Sequence, residues 1–325
     1  MQSEIRKKLL DAFSKSGDAY LSGQAVADLV GCSRTAVWKQ MEELRKEGFE
    51  LEAVRRKGYR IMKLPEKMTA DEIRLGLETE MLGKNIDYHE CVDSTQKIAN
   101  QLSYNGVADG TVVIAEEQLA GRGRMDRKWH SPKYTGIWMS IILRPNIPPT
   151  KAPQLTLLTA VAVVQAIQET TGLFPQIKWP NDILINGKKV TGILTELQAE
   201  ADRIHSVIIG IGINVNQRED DFPIELQSIA TSLSIQKGAK ISRADLTRNI
   251  FKHLEKLYFI YLQKGFAPIK LLWESYATSI GKSIKARTLT KVIEGKALGI
   301  TDDGVLKIED QNGEIHLVYS ADIEI

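Results

Sequence analysis

Residues 183–190 constrain the fold of this 325-residue chain more than any other stretch. Their sequence, ILINGKKV, places Asn186 and Gly187 between two short apolar runs. An Asn-Gly pair fits the two-residue turn of a β-hairpin, because both central residues of that turn need a positive φ. A hairpin pairs its strands antiparallel, so we do not expect a doubly wound parallel sheet in the middle of the chain.

Helical and strand patterns alternate around this hairpin between residues 65 and 275. Apolar strands are predicted at residues 111–117, 136–143 and 207–215. Residues 155–169 are apolar on nearly every side, which is typical of a buried helix. We therefore predict an α/β (α+β) domain built on a mixed sheet.

Residues 1–64 differ from the rest in charge. They hold 13 Lys+Arg against 9 Asp+Glu, a local charge of +4, whereas the remainder carries −2 of the total of +2. Three helical patterns, with Ser22 and Ser33 as N-caps of the second and third, precede a hairpin with a basic tip. Val26, Leu29 and Val30 are expected to face inward. This order predicts a winged helix-turn-helix, whose second helix enters the major groove while the wing contacts phosphate.

The residues that we expect to face DNA lie on these helices and on the wing: Gly23, Ser33, Arg34, Thr35, Trp38, Lys39, Arg55, Arg56 and Lys57. The alternative is a small helical docking domain whose charges form a solvated face. In that case Trp38 would be a core residue.

The C-terminal part contains an amphipathic helix at residues 242–265, followed from about residue 279 by short strands predicted at residues 284–287, 292–300, 305–309 and 314–319. Turn sequences such as DDG at 302–304 and QNG at 311–313 separate these strands. The pattern predicts a small β-barrel that resembles the SH3-like type. Three domains follow, at residues 1–64, 65–275 and 276–325, with residues 64–68 as the first linker.

The sequence GRGRMDRKW, at residues 121–129, holds three arginines and one lysine in nine positions. Gly123 lies between Arg122 and Arg124, so the backbone can approach a ligand closely. Guanidinium groups bind phosphate or carboxylate in bidentate fashion. We predict a mobile loop that closes on an anion. The alternative is a patch for RNA binding or nuclear import, but the apolar ends Leu119 and Trp129 favour a folded loop.

Two further motifs supply polar groups. Lys178 and Asn181 lie on a turn in KWPND and can address a phosphate, while Lys189 adds a cation on a rigid strand. Gly210 and Gly212 begin a dinucleotide-binding fingerprint. The third glycine position is Val215, so the fingerprint fails, and close strand packing is the alternative explanation for the glycines.

Composition excludes several classes of protein. No apolar stretch reaches the roughly 18–20 residues that span a bilayer, and the N-terminus lacks the pattern of a signal peptide. Cys32 and Cys91 are far apart and fit no metal spacing. We expect a cytoplasmic protein without a membrane partner. No Ser/His/Asp or Cys/His arrangement indicates a covalent nucleophile.

The motifs GRGRMDRKW, KWPND, GKKVTGILTEL and GIGINVN, in this order behind a winged helix, resemble those of the bifunctional biotin–protein ligases that also repress the biotin operon. The resemblance covers nearly the whole chain. It implies an ATP-dependent ligase that forms biotinyl-5′-AMP and pyrophosphate and then transfers biotin to a lysine of biotin carboxyl carrier protein, typically in acetyl-CoA carboxylase. It also implies that the adenylate is a corepressor, and that the adenylate-bound homodimer binds operator DNA.

The resemblance also assigns roles to residues. Biotin would be bound by Ser94, Thr95, Gln96, Gln118, Gly121, Arg122, Gly123, Arg124 and Lys189, with Ser94, Thr95 and Gln118 at the ureido ring. ATP and the adenylate would be bound by Arg124, Trp129, Lys178, Asn181 and Asn214, with Asn214 at the adenine. Lys189, Arg124 and Arg122 would be catalytic. Mg²⁺ would arrive with ATP near Asn181 rather than on protein side chains alone, and residues 222–233 would form a second mobile loop.

Electrostatics agrees with these roles, because the biotin carboxylate and the α-phosphate repel each other unless cations lie between them. Two residues depart from the pattern of many relatives, which have Asn at the position of Gln96 and Gly at that of Asp126. We expect Asp126 to change the ordering of the loop rather than the chemistry. A ligand-sensing repressor without chemistry and a lipoate or octanoate ligase are the alternative functions.

Overall fold

The computed structural model describes residues 2–17, 19–46, 49–63, 67–200 and 203–324. The domain boundary predicted between residues 64 and 65, and most of the linker around it, lie outside the described residues. Within these ranges, no helix combines the length and the apolar composition that a membrane crossing requires.

The N-terminal unit consists of three helices and a hairpin: α1 Gln2–Ser16, α2 Gly23–Val30, α3 Arg34–Lys46, β1 Glu50–Val54 and β2 Gly58–Lys63. Both predicted N-caps are confirmed, since Ser22 Oγ accepts from Ala25 N at 3.0 Å and Ser33 Oγ accepts from Ala36 N at 3.2 Å. The prediction for Leu29 is wrong. Leu29 is 59% exposed, because α2 turns Val26, Ala27 and Val30 toward the core.

The described residues of the central unit form six further α-helices and seven strands. They are α4 Ala70–Arg74, β3 Ile86–His89, α5 Thr95–Tyr104, β4 Val112–Ala115, β5 Gly136–Leu143, α6 Ala152–Thr171, β6 Gln176–Lys178, β7 Asp182–Ile185, β8 Lys188–Ala199, β9 Ile204–Asn214, α7 Leu233–Lys237, α8 Arg243–Lys264 and α9 Ala267–Tyr276. The sheet has the order β3-β4-β5-β9-β8-β7-β6. Among the described strands of this sheet, β3 and β4 pair in parallel and the other neighbours pair antiparallel, so the predicted mixed sheet is confirmed.

The Asn-Gly turn between β7 and β8 is also confirmed. Asn186 and Gly187 have φ values of 51° and 79°, the left-handed conformation that this turn requires. β8 then continues well beyond β7 and pairs with β9 from Thr191 to Ala199. The hairpin therefore starts the long antiparallel centre of the sheet.

The two faces of the sheet are covered unequally, and this determines where a ligand can bind. Side chains such as Ile141 and Ile209 belong to the main core with α6 and α8. On the opposite face, Val113, Ile142 and Ile208 pack against Ala99 of α5. Because α5 has only ten residues, it covers only part of this face. The remaining part carries the cavity described below.

The C-terminal unit is a β domain, as predicted. Its strands are β10 Ser283–Arg287, β11 Val292–Ile300, β12 Leu306–Glu309, β13 Ile315–Val318 and β14 Asp322–Glu324. They form one antiparallel sheet in the order β13-β12-β11-β10-β14. The first four strands match the predicted ones. β14 was not predicted, because three residues are too few to show an alternating pattern.

A buried ion pair fixes the start of the central unit. Arg243 of α8 donates to Glu116 at 2.6 Å, and the two side chains are 5% and 0% exposed. Glu116 also accepts a hydrogen bond from Met68 N at 2.6 Å, and Arg243 donates to Gly136 O at 3.1 Å. These bonds attach Met68, the last residue of the predicted linker, to the end of β4 and the start of β5.

Glu72 lies in α4 close to this pair and is also buried. Burial raises the pKa of Glu72 to about 7, although Arg243 and Arg248 act in the opposite direction. Since the pKa is higher in the folded protein than in the unfolded chain, folding takes up a proton between about pH 4.5 and pH 7. The free energy of unfolding should therefore fall as the pH rises through this window.

We predict that Glu72→Gln is more stable than the wild type at pH 8, by about 2 kcal/mol, and that most of this advantage disappears at pH 5. Urea unfolding at the two pH values measures this difference. Glu78→Gln is the matched control, because Glu78 lies in the same segment and is exposed. An equal pH dependence in Glu72→Gln and the wild type would contradict the role of Glu72.

Candidate active site

A cavity of about 490 Å³ opens on the part of the sheet that α5 leaves uncovered. Its floor consists of two rows of residues that pair across β5, β9 and β8. One row is Gly212 and Gly192, with the buried Trp138 paired to Gly212 beside them, and the other is Ser140, Gly210 and Leu194. The start of α5, the loop 121–129 and the loop 222–233 form the walls.

The floor glycines make room for side chains from the walls. A Cβ atom on Gly212 would lie 2.4 Å from Trp129 Nε1, and one on Gly192 would lie 2.8 Å from the same ring. A Cβ atom on Gly210 would lie 2.7 Å from Gln96 Oε1. β9 continues as a strand to Asn214, so Gly210 and Gly212 do not belong to a dinucleotide-binding turn. Close packing is the correct explanation for these glycines.

One end of the cavity is a network of hydroxyl and amide groups. Gln118 Oε1 accepts from Thr95 N at 3.0 Å and from Thr95 Oγ1 at 3.1 Å, and Thr95 Oγ1 is 2.9 Å from Ser140 Oγ. Gln96 donates to Ile208 O at 3.1 Å and accepts from Ser140 at 2.8 Å. Ser94, which caps α5 by position, is 1% exposed beside them. All four predicted biotin residues of this end thus line one surface.

The other end of the cavity is cationic. Lys189 Nζ lies 2.6 Å from Asp182 Oδ1 and 5.3 Å from the centroid of the Trp129 ring. Arg124 donates to Asn181 Oδ1 at 3.0 Å and to Ser320 Oγ at 2.6 Å. Burial lowers the pKa of Arg124, because the surroundings disfavour the charged form. Lys178 lines the same end, so the structure brings the four predicted phosphate-facing residues together.

The loop 121–129 folds back on itself above the cavity. Trp129 N donates to Gly121 O at 2.9 Å, and Gly123 N donates to Arg127 O at 2.7 Å. Met125 and Asp126, at its tip, have φ values of 55° and 56°, which side chains other than Asn and Asp rarely adopt. Asp126 therefore takes a conformation that glycine provides without strain. Its effect on the ordering of the loop stays a prediction.

Arg122 lines the cavity but is directed to its rim, where it pairs with Glu196 of β8 at 3.5 Å. Of the three predicted catalytic residues, it is the most exposed. Its role stays a prediction.

Asn214 lies at the junction of the floor with the loop 222–233. Its Nδ2 donates to Thr231 O at 3.1 Å, and its Oδ1 accepts from Gln217 at 3.2 Å. The backbone of Lys189 bonds the same loop, since Lys189 N donates to Ile229 O and Thr231 N donates to Lys189 O. The loop 222–233 is thus bonded to strand β8 at Lys189. A contact of Asn214 with adenine stays a prediction.

Sequence reasoning missed several residues of the site: Ser131, Ser140, Asp182, Glu196, Ser320 and Asp322. A signal existed for Ser140, the one hydroxyl residue within the otherwise apolar strand β5, and for Asp182, which is part of KWPND. Ser320 and Asp322 had no signal, because their partners Arg124 and Arg127 lie 196 and 195 residues earlier in the chain.

A second surface lies on the N-terminal unit, where the starts of α2 and α3 meet the hairpin. Six of the predicted DNA-facing residues line one cleft: Gly23, Arg34, Thr35, Trp38, Arg55 and Arg56. Trp38 is 53% exposed and is not a core residue. Lys39 is exposed nearby, Ser33 acts as a cap, and Lys57 lies 5.8 Å above the ring of Tyr20.

The potential metal ligands that lie close to one another among the described residues are in the C-terminal domain. In the part of the chain that the structure describes, one group of three potential ligands occurs, Asp310, Glu314 and His316, in the C-terminal sheet. Cys32 and Cys91 are both free thiols.

Comparison with known proteins identifies the family. Residues 88–214 match the Biotin/lipoate A/B protein ligase family, residues 6–60 an HTH domain, and residues 279–325 the Biotin protein ligase C terminal domain. The chain is 59% identical to the bifunctional ligase/repressor BirA of Bacillus subtilis (strain 168), over 100% of both chains. The chain belongs to the bifunctional biotin ligase/repressor family. It is 29% identical to the BirA of Escherichia coli (strain K12), over 90% of this chain and 89% of the relative.

The fold comparison agrees with this family. The biotin protein ligase of Aquifex aeolicus in complex with biotin and ATP superimposes with a TM-score of 0.65 at 32% identity. The superposition covers 74% of this chain and 98% of the Aquifex protein.

We predict that Gly212→Ala displaces the Trp129 ring, because the new methyl group would lie 2.4 Å from Trp129 Nε1. The substitution should cost about 1–3 kcal/mol of folding free energy through overpacking. Acrylamide quenching of tryptophan fluorescence measures the exposure of the ring. Trp129→Phe is the control background, in which Gly212→Ala should leave the quenching unchanged. Equal quenching of Gly212→Ala and wild type would contradict this packing.

Proposed function

We propose that this chain is a biotin–protein ligase that joins biotin to ATP and then transfers biotin to a lysine of a carrier protein. The observation that carries this proposal is the two-ended cavity, with hydroxyl and amide groups at one end and cations at the other. A neutral ureido ring fits the first end, and a carboxylate beside a phosphate fits the second. Membership of the family supports the same assignment.

Biotin binding uses the polar end. A ureido ring offers both N–H donors and a carbonyl acceptor, so its site needs both kinds of group. Ser94 and Thr95 provide hydroxyls, and Gln118 provides a carboxamide that the neighbouring side chains hold in place. Gln96 is held by Ser140 and Ile208 O and therefore fixes the shape of this end.

Adenylation takes place at the cationic end. A biotin carboxylate oxygen attacks the α-phosphorus of ATP, and the bond from this phosphorus to the bridging oxygen breaks, which releases pyrophosphate. Negative charge grows on the α-phosphate oxygens in the transition state. Lys189 and Arg124 stabilise this charge, while Lys178 and Asn181 hold the other phosphates and Trp129 and Asn214 flank the nucleoside. Arg122 assists from the rim.

Mg²⁺ would enter with ATP at this end. Asp182 and Asn181 offer one carboxylate and one carboxamide, which fits an ion that keeps most of its ligands from phosphates and water. When bound, the ion neutralises charge on the leaving pyrophosphate. The protein residues themselves orient the α-phosphate and the carboxylate.

The loop 121–129 would protect biotinyl-5′-AMP from hydrolysis. A mixed anhydride is labile to water, so the loop must cover it until the carrier lysine arrives. The lysine amine then attacks the biotinyl carbonyl carbon, and AMP leaves. We infer that the acceptor is biotin carboxyl carrier protein.

Repression would use the N-terminal unit. The basic cleft of α2, α3 and the wing suits operator DNA, with α3 in the major groove. In this proposal the adenylate is the corepressor, the adenylate-bound homodimer is the form that binds, and the protein works in the cytoplasm without a membrane partner.

We predict that Lys189→Ala lowers ATP–pyrophosphate exchange with biotin and Mg²⁺ at least 100-fold, about the cost of one lost transition-state donor. Separate reactions with biotin, lipoate and octanoate identify the carboxylate. Lys285→Ala is the control, because Lys285 lies in the C-terminal sheet and pairs with Glu294. Exchange above a tenth of wild type in Lys189→Ala would contradict the role of Lys189. If the wild type catalysed ATP–pyrophosphate exchange with lipoate or octanoate but not with biotin, the proposed substrate would be wrong.

We predict that replacing Arg55 and Arg56 together with alanine weakens binding about equally for operator and unrelated DNA. The slope of log K against log salt concentration should become less steep by about two, because two phosphate contacts are lost. Fluorescence anisotropy at several salt concentrations measures it. Lys8→Ala, an exposed lysine on α1, is the control. A loss confined to one operator position would mean that the wing reads bases.

A further inference from the structure

The C-terminal domain holds the loop 121–129 at two points. Arg127 donates to both carboxylate oxygens of Asp322, with Nη1 at 3.3 Å from Oδ1. Arg124 Nη2 donates to Ser320 Oγ at 2.6 Å. Ser320 and Asp322 lie just before and at the start of β14, the short strand at the edge of the C-terminal sheet. A separate domain therefore contacts the loop that covers the cavity.

The three arginines of the loop have different kinds of partner. Arg122 and Arg127 each face a carboxylate, Glu196 and Asp322 respectively. The hydrogen bonds of Arg124 go to the neutral groups of Asn181 and Ser320. An incoming phosphate displaces a neutral partner more readily than a carboxylate, because the carboxylate bond is charge-assisted. Arg124 can therefore turn to a ligand while Arg127 keeps its contact with Asp322.

The tip of the loop needs support from outside. Met125 and Asp126 have positive φ values, a conformation that persists when surrounding contacts impose it. The backbone bonds of Gly123 and Trp129 hold the stem of the loop. Arg127 immediately follows the two strained residues, so its bidentate contact with Asp322 fixes the tip. Since the side chains of Arg127 and Asp322 are 64% and 43% exposed, this contact acts through charge and geometry rather than through packing.

We propose that Asp322 is a positioning residue for adenylation. By fixing Arg127, Asp322 holds the loop over the cavity so that Arg124 reaches the α-phosphate. This inference rests on the proposed function, since it names the residue that prepares the same site. Asp322 lines the cavity and would act on the reaction through Arg127 rather than on the reacting atoms.

The test compares Asp322→Asn, Arg127→Gln and the double variant in ATP–pyrophosphate exchange with biotin and Mg²⁺. We expect the KM for ATP to rise about three- to fivefold in each single variant, the range of an exposed ion pair of good geometry, with kcat changed less. Bound biotinyl-5′-AMP should dissociate faster by a similar factor. The double variant should equal either single variant, because both remove the same contact.

Glu324→Gln is the matched control. It removes the carboxylate that pairs with Arg287 at 2.6 Å, an exposed contact on the same strand that does not touch the loop. We expect no rise of its KM for ATP, because the weak influence of Glu324 on Lys178 of the cavity opposes phosphate binding. An equal rise of the KM in Glu324→Gln would overturn the proposal, because it would report the stability of the sheet instead. Additive effects in the double variant would overturn it as well, since the two residues would then act separately.

Hydrogen–deuterium exchange of the ligand-free proteins tests the anchor without catalysis. The amides of Gly123, Arg127 and Trp129 should exchange about threefold faster in Asp322→Asn than in wild type or Glu324→Gln. Unchanged exchange of these amides would overturn the inference. A wild type that fails to catalyse pyrophosphate exchange with biotin would instead overturn the proposed function, and the amide measurement would still decide whether Asp322 orders the loop.

Discussion

The geometry of the cavity depends on the contact between the Trp129 indole and the bare backbone of Gly192 and Gly212. The indole lies where any Cβ atom on these glycines would have to be, and its edge meets Trp138 at a centroid distance of 6.5 Å. Trp129 is also the last residue of the loop 121–129, so this contact fixes one end of the loop on the sheet. The face of the ring lies beneath Lys189 Nζ. The Trp129 side chain therefore contacts the strands of the cavity floor and Lys189, and it belongs to the loop 121–129 that covers the cavity.

A site for two anions must gather cations that would repel one another before any ligand arrives. In this protein, carboxylates from separate elements face three of the cations: Asp182 beside Lys189, Glu196 beside Arg122 and Asp322 beside Arg127. Arg124 has neutral partners and lies in a partly buried position that lowers its pKa. Unlike the other three, Arg124 donates its hydrogen bonds to neutral groups, while Asp182 and Asp322 act on its charge without bonding it. This distribution explains how the loop can be ordered and still present one cation to a ligand.

The elements that the sequence predicted well are those with local signals. The turn at Asn186 and Gly187, the caps Ser22 and Ser33, and the long helix α8 depend on neighbours within a few residues. The predicted cations Arg124, Lys178 and Lys189 all line one cavity, because each belongs to a motif that forms part of its wall or floor, while their roles stay predictions. The prediction that Leu29 faces inward was wrong, because helical spacing alone does not show which side of α2 meets α3. The contacts of Ser320 and Asp322 depend on how two domains pack, which no local pattern records.

The buried pair of Glu116 and Arg243 limits which parts of the molecule can move between two states. Hydrogen bonds run from Met68 N through this pair to Gly136 O, and Gly136 pairs with Asn214 at the cavity. Breaking such a pair costs about 3–5 kcal/mol, whereas coupling between two sites typically amounts to about 1–3 kcal/mol. A coupling of ligand to DNA binding, as the proposed corepressor role implies, would therefore be too small to open this connection. We therefore expect any such change in the loops 121–129 and 222–233, whose polar contacts are hydrogen bonds and exposed ion pairs rather than a buried ion pair.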